Sequence, residues 1–290
     1  MSLAAGISQE QARARRAADL ALLGVTFFWA SSFALIKGAM GEVSPILFIG
    51  IRFALACAVL WPLLRGVEAP GRAWREGCAL GVLLFGCFAT QVTGLRYTTA
   101  GNSAFVTATC SVMVPFVDYA LCGRRPRATT LVGVLIAMAG VYLLVNPEAG
   151  RWNRGDLWTL GCAALYAVYI VKLDGALRRG PYQVVLYAQL AVAGLLGFAI
   201  SPLVETPHLT LSWNALRAIA IVSLGATAAA LYLQNRYQAR TTPTRAALVF
   251  LAEPVFAAGF AYLLLEETLL WRGYVGAGLI IGGILLSELL

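Results

Sequence analysis

The sequence predicts an all-α polytopic membrane protein: ten transmembrane helices in two inverted five-helix repeats, with both termini in the cytoplasm. Three observations carry that expectation. Ten apolar stretches each match the thickness of a bilayer, the connections between them alternate between arginine-rich and arginine-poor, and a constant residue offset lays much of the second half over the first.

A membrane-spanning helix needs roughly 20 mostly apolar residues, and the spans fall at 18–37, 45–64, 75–95, 101–122, 128–146, 156–173, 182–203, 214–236, 245–265 and 272–289. Hydrophobic residues make up 60% of the chain and charged ones 12%, against about half and a quarter in soluble proteins. The first run follows Arg13, Arg15 and Arg16 and carries Lys37 at its far end, too long for a signal peptide's core and read as an uncleaved span. The second holds Arg52, the third Gln91, and the fourth opens on the hydroxyl-rich Tyr97-Thr98-Thr99. The fifth and tenth carry Gly133, Gly140 and Gly276, Gly283, spaced seven apart on one helix face so that backbones can approach closely. The sixth bears Tyr166 and Tyr169 and ends at Lys172, the eighth ends near Gln234, and the ninth contains Glu253-Pro254. Trp61, Trp74, Trp158, Trp213 and Trp271 mark span ends, as an interfacial belt does. The organisation is a cytoplasmic segment 1–17, a first repeat 18–146, an outer linker 147–155 and a second repeat 156–290.

Orientation follows from counting. The N-terminal segment and the connections after spans two, four, six and eight hold fifteen Lys and Arg; the opposite side holds six, and Arg52 lies within a span. The positive-inside rule puts the richer side in the cytoplasm.

An offset of 143 residues lays Gln91 on Gln234, Thr98-Thr99 on Thr241-Thr242, Ala104 on Ala247, Tyr119 on Tyr262, Gly133 on Gly276 and Gly140 on Gly283. Earlier, offsets of 135 and 136 lay Lys37 on Lys172 and Pro45 on Pro181. With an odd number of spans per half, the repeats cross the membrane in opposite senses, the build of many secondary transporters.

The net charge of +8 sits at helix ends, where it sets topology and meets lipid headgroups, which argues against nucleic acid as partner. Six scattered cysteines without a CxxC read as small packing residues in a reduced state. His208, the lone histidine, falls in an outer loop, which leaves no histidine cluster for a catalytic metal. Neither GxSxG nor HExxH is present, nor is a P-loop, so an enzyme or ATP-driven pump is disfavoured. No filter-like polar segment argues for a channel. No cofactor is expected, and a cavity built between repeats of one chain makes a monomer the default.

Several short motifs carry a resemblance. Span one ends Trp29-Ala30-Ser31-Ser32-Phe33, span two carries Ile51-Arg52-Phe53, span four opens Tyr97-Thr98-Thr99-Ala100-Gly101-Asn102-Ser103-Ala104, and span nine carries Leu251-Ala252-Glu253-Pro254-Val255-Phe256-Ala257-Ala258 before Glu266-Glu267. In this order and spacing, from about residue 20 to the C-terminus, the chain resembles the drug/metabolite transporter superfamily and its ten-helix EamA-type carriers. Within these it looks most like the bacterial aromatic amino acid exporters. It departs from them at Gly123-Arg124-Arg125, where the family often has Gly-Glu. The resemblance implies an inner-membrane carrier exporting small metabolites, commonly amino acids.

Such a carrier needs acceptors for an ammonium, donors for a carboxylate and a lining for the side chain, and polar groups within spans are the candidates. Glu253 reads as an ammonium ligand or proton carrier, or else as a structural charge capped by hydroxyls or paired with Arg52. Arg52 reads as a bidentate carboxylate ligand, or as a tie between helices or a side chain that snorkels outward. Trp29, Phe33, Tyr166 and Tyr169 suit an aromatic lining, with Ser32 and Asn102 as hydrogen-bonding groups among them; plain helix packing is the alternative for Trp29 and Tyr166. The matched pairs Gln91 and Gln234, and Lys37 and Lys172, suit paired gates at the two mouths; interfacial anchoring is the alternative, above all for the lysines. Asp118 is expected to form a local salt bridge with Arg124 or Arg125.

Overall fold

A computed structural model describes residues 2–145, 153–257, 259 and 271–289. Among the described residues the chain is helical between short connections, and extended pairing is limited to one bridge, Val43 to Leu209. The helices are α1 (Ser2–Ala30), α2 (Ser32–Ala39), α3 (Pro45–Leu60), α4 (Gly71–Leu95), α5 (Ala100–Ala108), α6 (Cys110–Cys122), α7 (Ala128–Val145), α8 (Arg154–Leu177), α9 (Tyr182–Val204), α10 (Trp213–Ile221), α11 (Ala230–Tyr237), α12 (Pro243–Phe250) and α13 (Trp271–Leu289). Val222–Ala229, between α10 and α11, is a π-helix.

Eight stretches are long and apolar enough to cross a bilayer, among them Arg16–Ala39, Asn102–Cys122 and Trp213–Arg240, each joining shorter helices end to end. They coincide with the first eight spans expected from the sequence, the third starting earlier, at Gly71. The ninth expected span runs through α12 and helical residues 253–257 into residues outside the described set, as do Glu266 and Glu267. The apolar part of the tenth, Trp271–Leu286, is shorter than the others.

Local sequence explains where the helices begin. Pro45 and Pro243 occupy first turns, where their missing N–H costs nothing. Side chains of Thr99, Ser212 and Thr242 accept from backbone N–H groups three residues on, and Asn153 with Asp156 forms a capping box. Helix α3 is capped from outside, by the Glu205 carboxylate accepting from the N–H groups of Ile46 and Leu47 at 3.3 and 2.9 Å.

The breaks within spans have equally local causes. Between α1 and α2, the hydroxyls of Ser31 and Ser32 donate to the carbonyls of Phe28 and Trp29, competing with the helical ladder. Thr109 does the same to Val106 between α5 and α6. Span nine turns at Leu251 and Ala252, whose N–H groups reach back only three residues, just upstream of Pro254. Proline cannot supply the bond that the Phe250 carbonyl would otherwise receive.

Small residues bring the helices together. A Cβ on Gly140 would stand 2.6 Å from the Gly276 carbonyl oxygen, and one on Gly283 would stand 2.5 Å from that of Gly133, so α7 and α13 touch backbone to backbone. Helix α4 packs on α8 and α9, α3 on α9, and α1 on α11 and α12. At the arginine-rich end, Arg124 joins Asp118 and Asp174, each at 2.9 Å, so the local salt bridge expected of Asp118 is present. Burial works against the Arg124 charge, yet hydrogen bonding to Asp174 and the pull of both carboxylates hold its pKa above the ordinary arginine range. Arg178 pairs with Asp174 and donates to the Thr241 carbonyl, and Arg245 pairs with Asp19 at 2.7 Å. All five span-end tryptophans are exposed.

Candidate functional site

The helix breaks surround a cavity. Its lining includes Trp29 and Ser32 on either side of the first break, Ala108 and Cys110 on either side of the second, and Phe250 and Glu253 on either side of the third. Discontinuous helices at membrane depth free backbone groups and admit polar side chains, which is how binding sites are built into bundles. The cavity holds about 710 Å³ of space unfilled by atoms, its open mouth included. Cys87, Phe88 and Gln91 enter from α4, Thr107 and Ser111 from α5 and α6, and Cys162 and Tyr166 from α8.

Depth follows from helix rise. Glu253 stands roughly 15 Å along the helix axis from Pro243, about half the hydrocarbon thickness. The lining residues of α4, α5, α6 and α8 lie at the middle of their spans or toward the arginine-poor end.

Among the described residues Glu253 contributes the one charged side chain in the lining, and its Oε1 is buried without a hydrogen-bond partner. Thr107 Oγ1 is likewise buried and unpartnered. The Ser32 and Ser111 hydroxyls donate to the carbonyls of Trp29 and Ala247 at 2.8 and 2.6 Å, and Ser111 also accepts from the Cys110 thiol at 4.0 Å, which leaves each hydroxyl with acceptor capacity. Trp29 donates its indole N–H to the Ala226 carbonyl at 3.1 Å. Its ring meets Tyr166 edge-on at 5.8 Å and Phe250 at 5.2 Å.

On the arginine-rich side the cavity ends in a polar floor. Gln234 donates to Tyr166 Oη at 3.2 Å and to Gln238 Oε1 at 2.9 Å, and Gln238 donates to the Ile170 carbonyl at 2.8 Å. Tyr169, stacked on Tyr166 at 5.5 Å, donates to Gln189, which donates to Asn235, which donates to the Leu231 carbonyl. These groups tie α8, α9 and α11 together, and Tyr169, Gln189, Gln234 and Gln238 are fully buried.

Of the residues singled out from sequence, Trp29, Ser32, Tyr166, Glu253 and Gln91 line the cavity. Tyr169 and Gln234 belong to the floor. Asn102 sits in the first turn of α5, outside the lining, with its backbone N–H held by Thr99. Lys37 donates to the Thr98 carbonyl near the arginine-poor end, and Lys172 is exposed toward the other end. The Phe33 side chain lies outside the described set. Arg52 does not line the cavity: it is 1% exposed, donates through Nε to Thr227 at 2.8 Å, and stacks over Phe88 at 4.3 Å. No ion pair joins it to Glu253 among the described residues.

Sequence reasoning missed Thr107, Gln189, Asn235 and Gln238. For Thr107, Gln189 and Asn235 the signal was available in kind, since each is a polar side chain within an apolar span; Gln238 lies just past the expected end of span eight. It also read all the cysteines as packing residues, whereas Cys87, Cys110 and Cys162 line the cavity from three different helices.

Comparison with known proteins agrees with this architecture. The EamA-like transporter family matches residues 16–146 and again residues 153–289. An uncharacterised transporter of Archaeoglobus fulgidus is 30% identical over 94% of this chain and 86% of its own. A probable amino-acid metabolite efflux pump of Salmonella typhimurium is 25% identical over 94% and 95% of the two chains. The aromatic amino acid exporter YddG of Ancylobacter novellus is 27% identical over 60% of this chain and 64% of its own.

Proposed function

The chain belongs to the EamA-like transporter family, and from that premise we propose that it is a secondary carrier exporting amino acids, aromatic and other neutral ones, or similar small metabolites across the bacterial inner membrane. It works by alternating access around the central cavity, as ten helices in two inverted repeats, 18–146 and 156–290, with both termini in the cytoplasm.

The observation that carries this reading is a cavity seated on three broken helices with a hydrogen-bonded floor toward its arginine-rich end. A carrier in one of its two end states has that form. Packing supports the inverted repeat: the contact of Gly140 with Gly276 becomes that of Gly283 with Gly133 when each residue is exchanged for its partner 143 positions away. A two-fold axis between α7 and α13 requires that correspondence. The exchange of α1 on α11 for α4 on α8 is of the same kind.

In this reading Trp29, Ser32, Phe33, Tyr166 and Glu253 contact substrate, with Tyr169, Asn102 and Arg52 bracing or flanking the site. Gln91 and Gln234 act as opposed gates, Lys37 and Lys172 lie at the two mouths, and Glu253 is the group through which protons would couple. The names of the relatives from Salmonella and Ancylobacter favour amino acids. The floor lies toward the arginine-rich end, which on this reading corresponds to an outward-facing state. Counterflow in proteoliposomes tests the reading: saturable entry of labelled phenylalanine or threonine should depend on which unlabelled amino acid is preloaded. Entry through folded, correctly inserted protein that neither saturates nor responds to the internal solute would point to a channel instead.

A further inference from the structure

We propose that the cavity recognises its substrate through an ammonium group on an aromatic or other apolar body, so that amines lacking a carboxylate bind as well as the corresponding amino acids. The inference rests on the carrier reading and names the chemistry of its site.

The polar inventory of the cavity is one-sided. Glu253 supplies a buried carboxylate oxygen without a partner, and Thr107 a buried hydroxyl oxygen without one. Ser32 and Ser111 have committed their protons to backbone carbonyls and keep acceptor capacity, that of Ser111 partly used by the Cys110 thiol. An ammonium brings three N–H donors and no acceptor, the complement of this set. Around it stand the rings of Trp29, Phe88, Tyr166 and Phe250, whose faces attract a cation and whose area buries an apolar body.

The cationic counterpart, Arg52 Nη1, is also buried without a hydrogen-bond partner but belongs to a side chain outside the lining. No lysine or arginine lines the cavity among the described residues. Arg52 is held by Thr227 and stacks over Phe88, a residue of the lining. A carboxylate would meet only neutral donors, chiefly the Gln91 amide and the Thr107 hydroxyl, while sharing a confined space with the Glu253 carboxylate. An amino acid is therefore held by its amine, and its carboxylate is tolerated without being read.

The test is a matched series on the purified full-length chain in detergent, with binding followed by calorimetry: phenethylamine, phenylalanine methyl ester, phenylalanine and phenylpropionate. The amine and the ester should bind within about threefold of phenylalanine or more tightly, and phenylpropionate at least about tenfold more weakly. Glu253→Gln should weaken phenethylamine at least about tenfold; if that variant does not fold, the wild-type series decides alone. Phenylpropionate binding comparable to phenethylamine would overturn the proposal. So would phenylalanine binding more than about threefold tighter than its ester, or no binding by either amine. Counterflow separates the two readings. Amine binding without counterflow of any member leaves the ammonium site standing and removes the carrier, whereas phenylalanine counterflow that phenethylamine does not inhibit does the reverse.

Discussion

Gln91 and Gln234 stand 143 residues apart at equivalent positions of the two halves, yet their surroundings are opposite. Gln91 borders the cavity, while Gln234 is fully buried, bonded to Tyr166 and Gln238. The same residue type at the same place in each half is open in one and sealed in the other. On the proposed inverted repeat, a symmetric sequence holds an asymmetric state because the halves need not adopt one conformation at the same moment. Reversal of the asymmetry is what alternating access requires, so this pair is the place to test it.

The largest effect should be in chemical accessibility. In a background with the six native cysteines replaced, Gln91→Cys should react with a membrane-impermeant thiol reagent from the arginine-poor side. Gln234→Cys should react roughly ten to a thousand times more slowly from either side, because the state exposing it is the minor one. Equal rates would break the comparison. Crosslinks placed across the two mouths should likewise exclude one another, and high-yield formation of both in the same molecules would sink the gating idea.

Loosening the floor should shift that balance. Gln189 links Tyr169 to Asn235 deep in the bundle. Gln189→Leu leaves both partners buried without their bond, at a cost of about 1–3 kcal/mol. The Gln234→Cys labelling rate should then rise about tenfold for each 1.4 kcal/mol lost from the floor. Tyr169→Phe removes only the hydroxyl's bond and should act in the same direction by about 1 kcal/mol. An unchanged rate in both variants would mean that the floor does not hold the state closed.

How much of this could be read from the sequence differs between the two sides. Spans, charge asymmetry and the repeat offset were legible because hydropathy and helix-end charge are local properties. Pro254 announced its break, and the cavity-lining roles of Trp29, Tyr166 and Glu253 followed from polarity and aromaticity at depth. The floor was not legible. It joins Tyr169, Gln189 and Asn235 from three helices, and each alone looks like an isolated polar residue in an apolar run. Arg52 shows the same limit: its residue type promised a carboxylate ligand, and only the structure shows it stacked over Phe88 and outside the cavity lining. Nor does the repeat say which glutamine is sealed, since an offset carries no information about state.

The smallest effect tests whether the seal extends to the surface. Arg124 spans Asp118 on α6 and Asp174 on α8, and Arg178 continues from Asp174 to the Thr241 carbonyl ahead of α12. These charges bridge, at the arginine-rich end, helices that also line the cavity, so opening that end should separate them. The Arg124 side chain is 39% exposed, however, and partly solvated ion pairs contribute only about 0.2–1 kcal/mol. Arg124→Gln should therefore raise Gln234→Cys labelling by no more than about fivefold, with Asp174 still served by Arg178. The increment should shrink as salt rises, because exposed charges are screened over about 10 Å at 0.1 M. A rise as large as that of Gln189→Leu would place the main restraint at the surface rather than in the buried amide network. No rise at any ionic strength would confine the gate to Tyr166, Gln189, Gln234 and their neighbours.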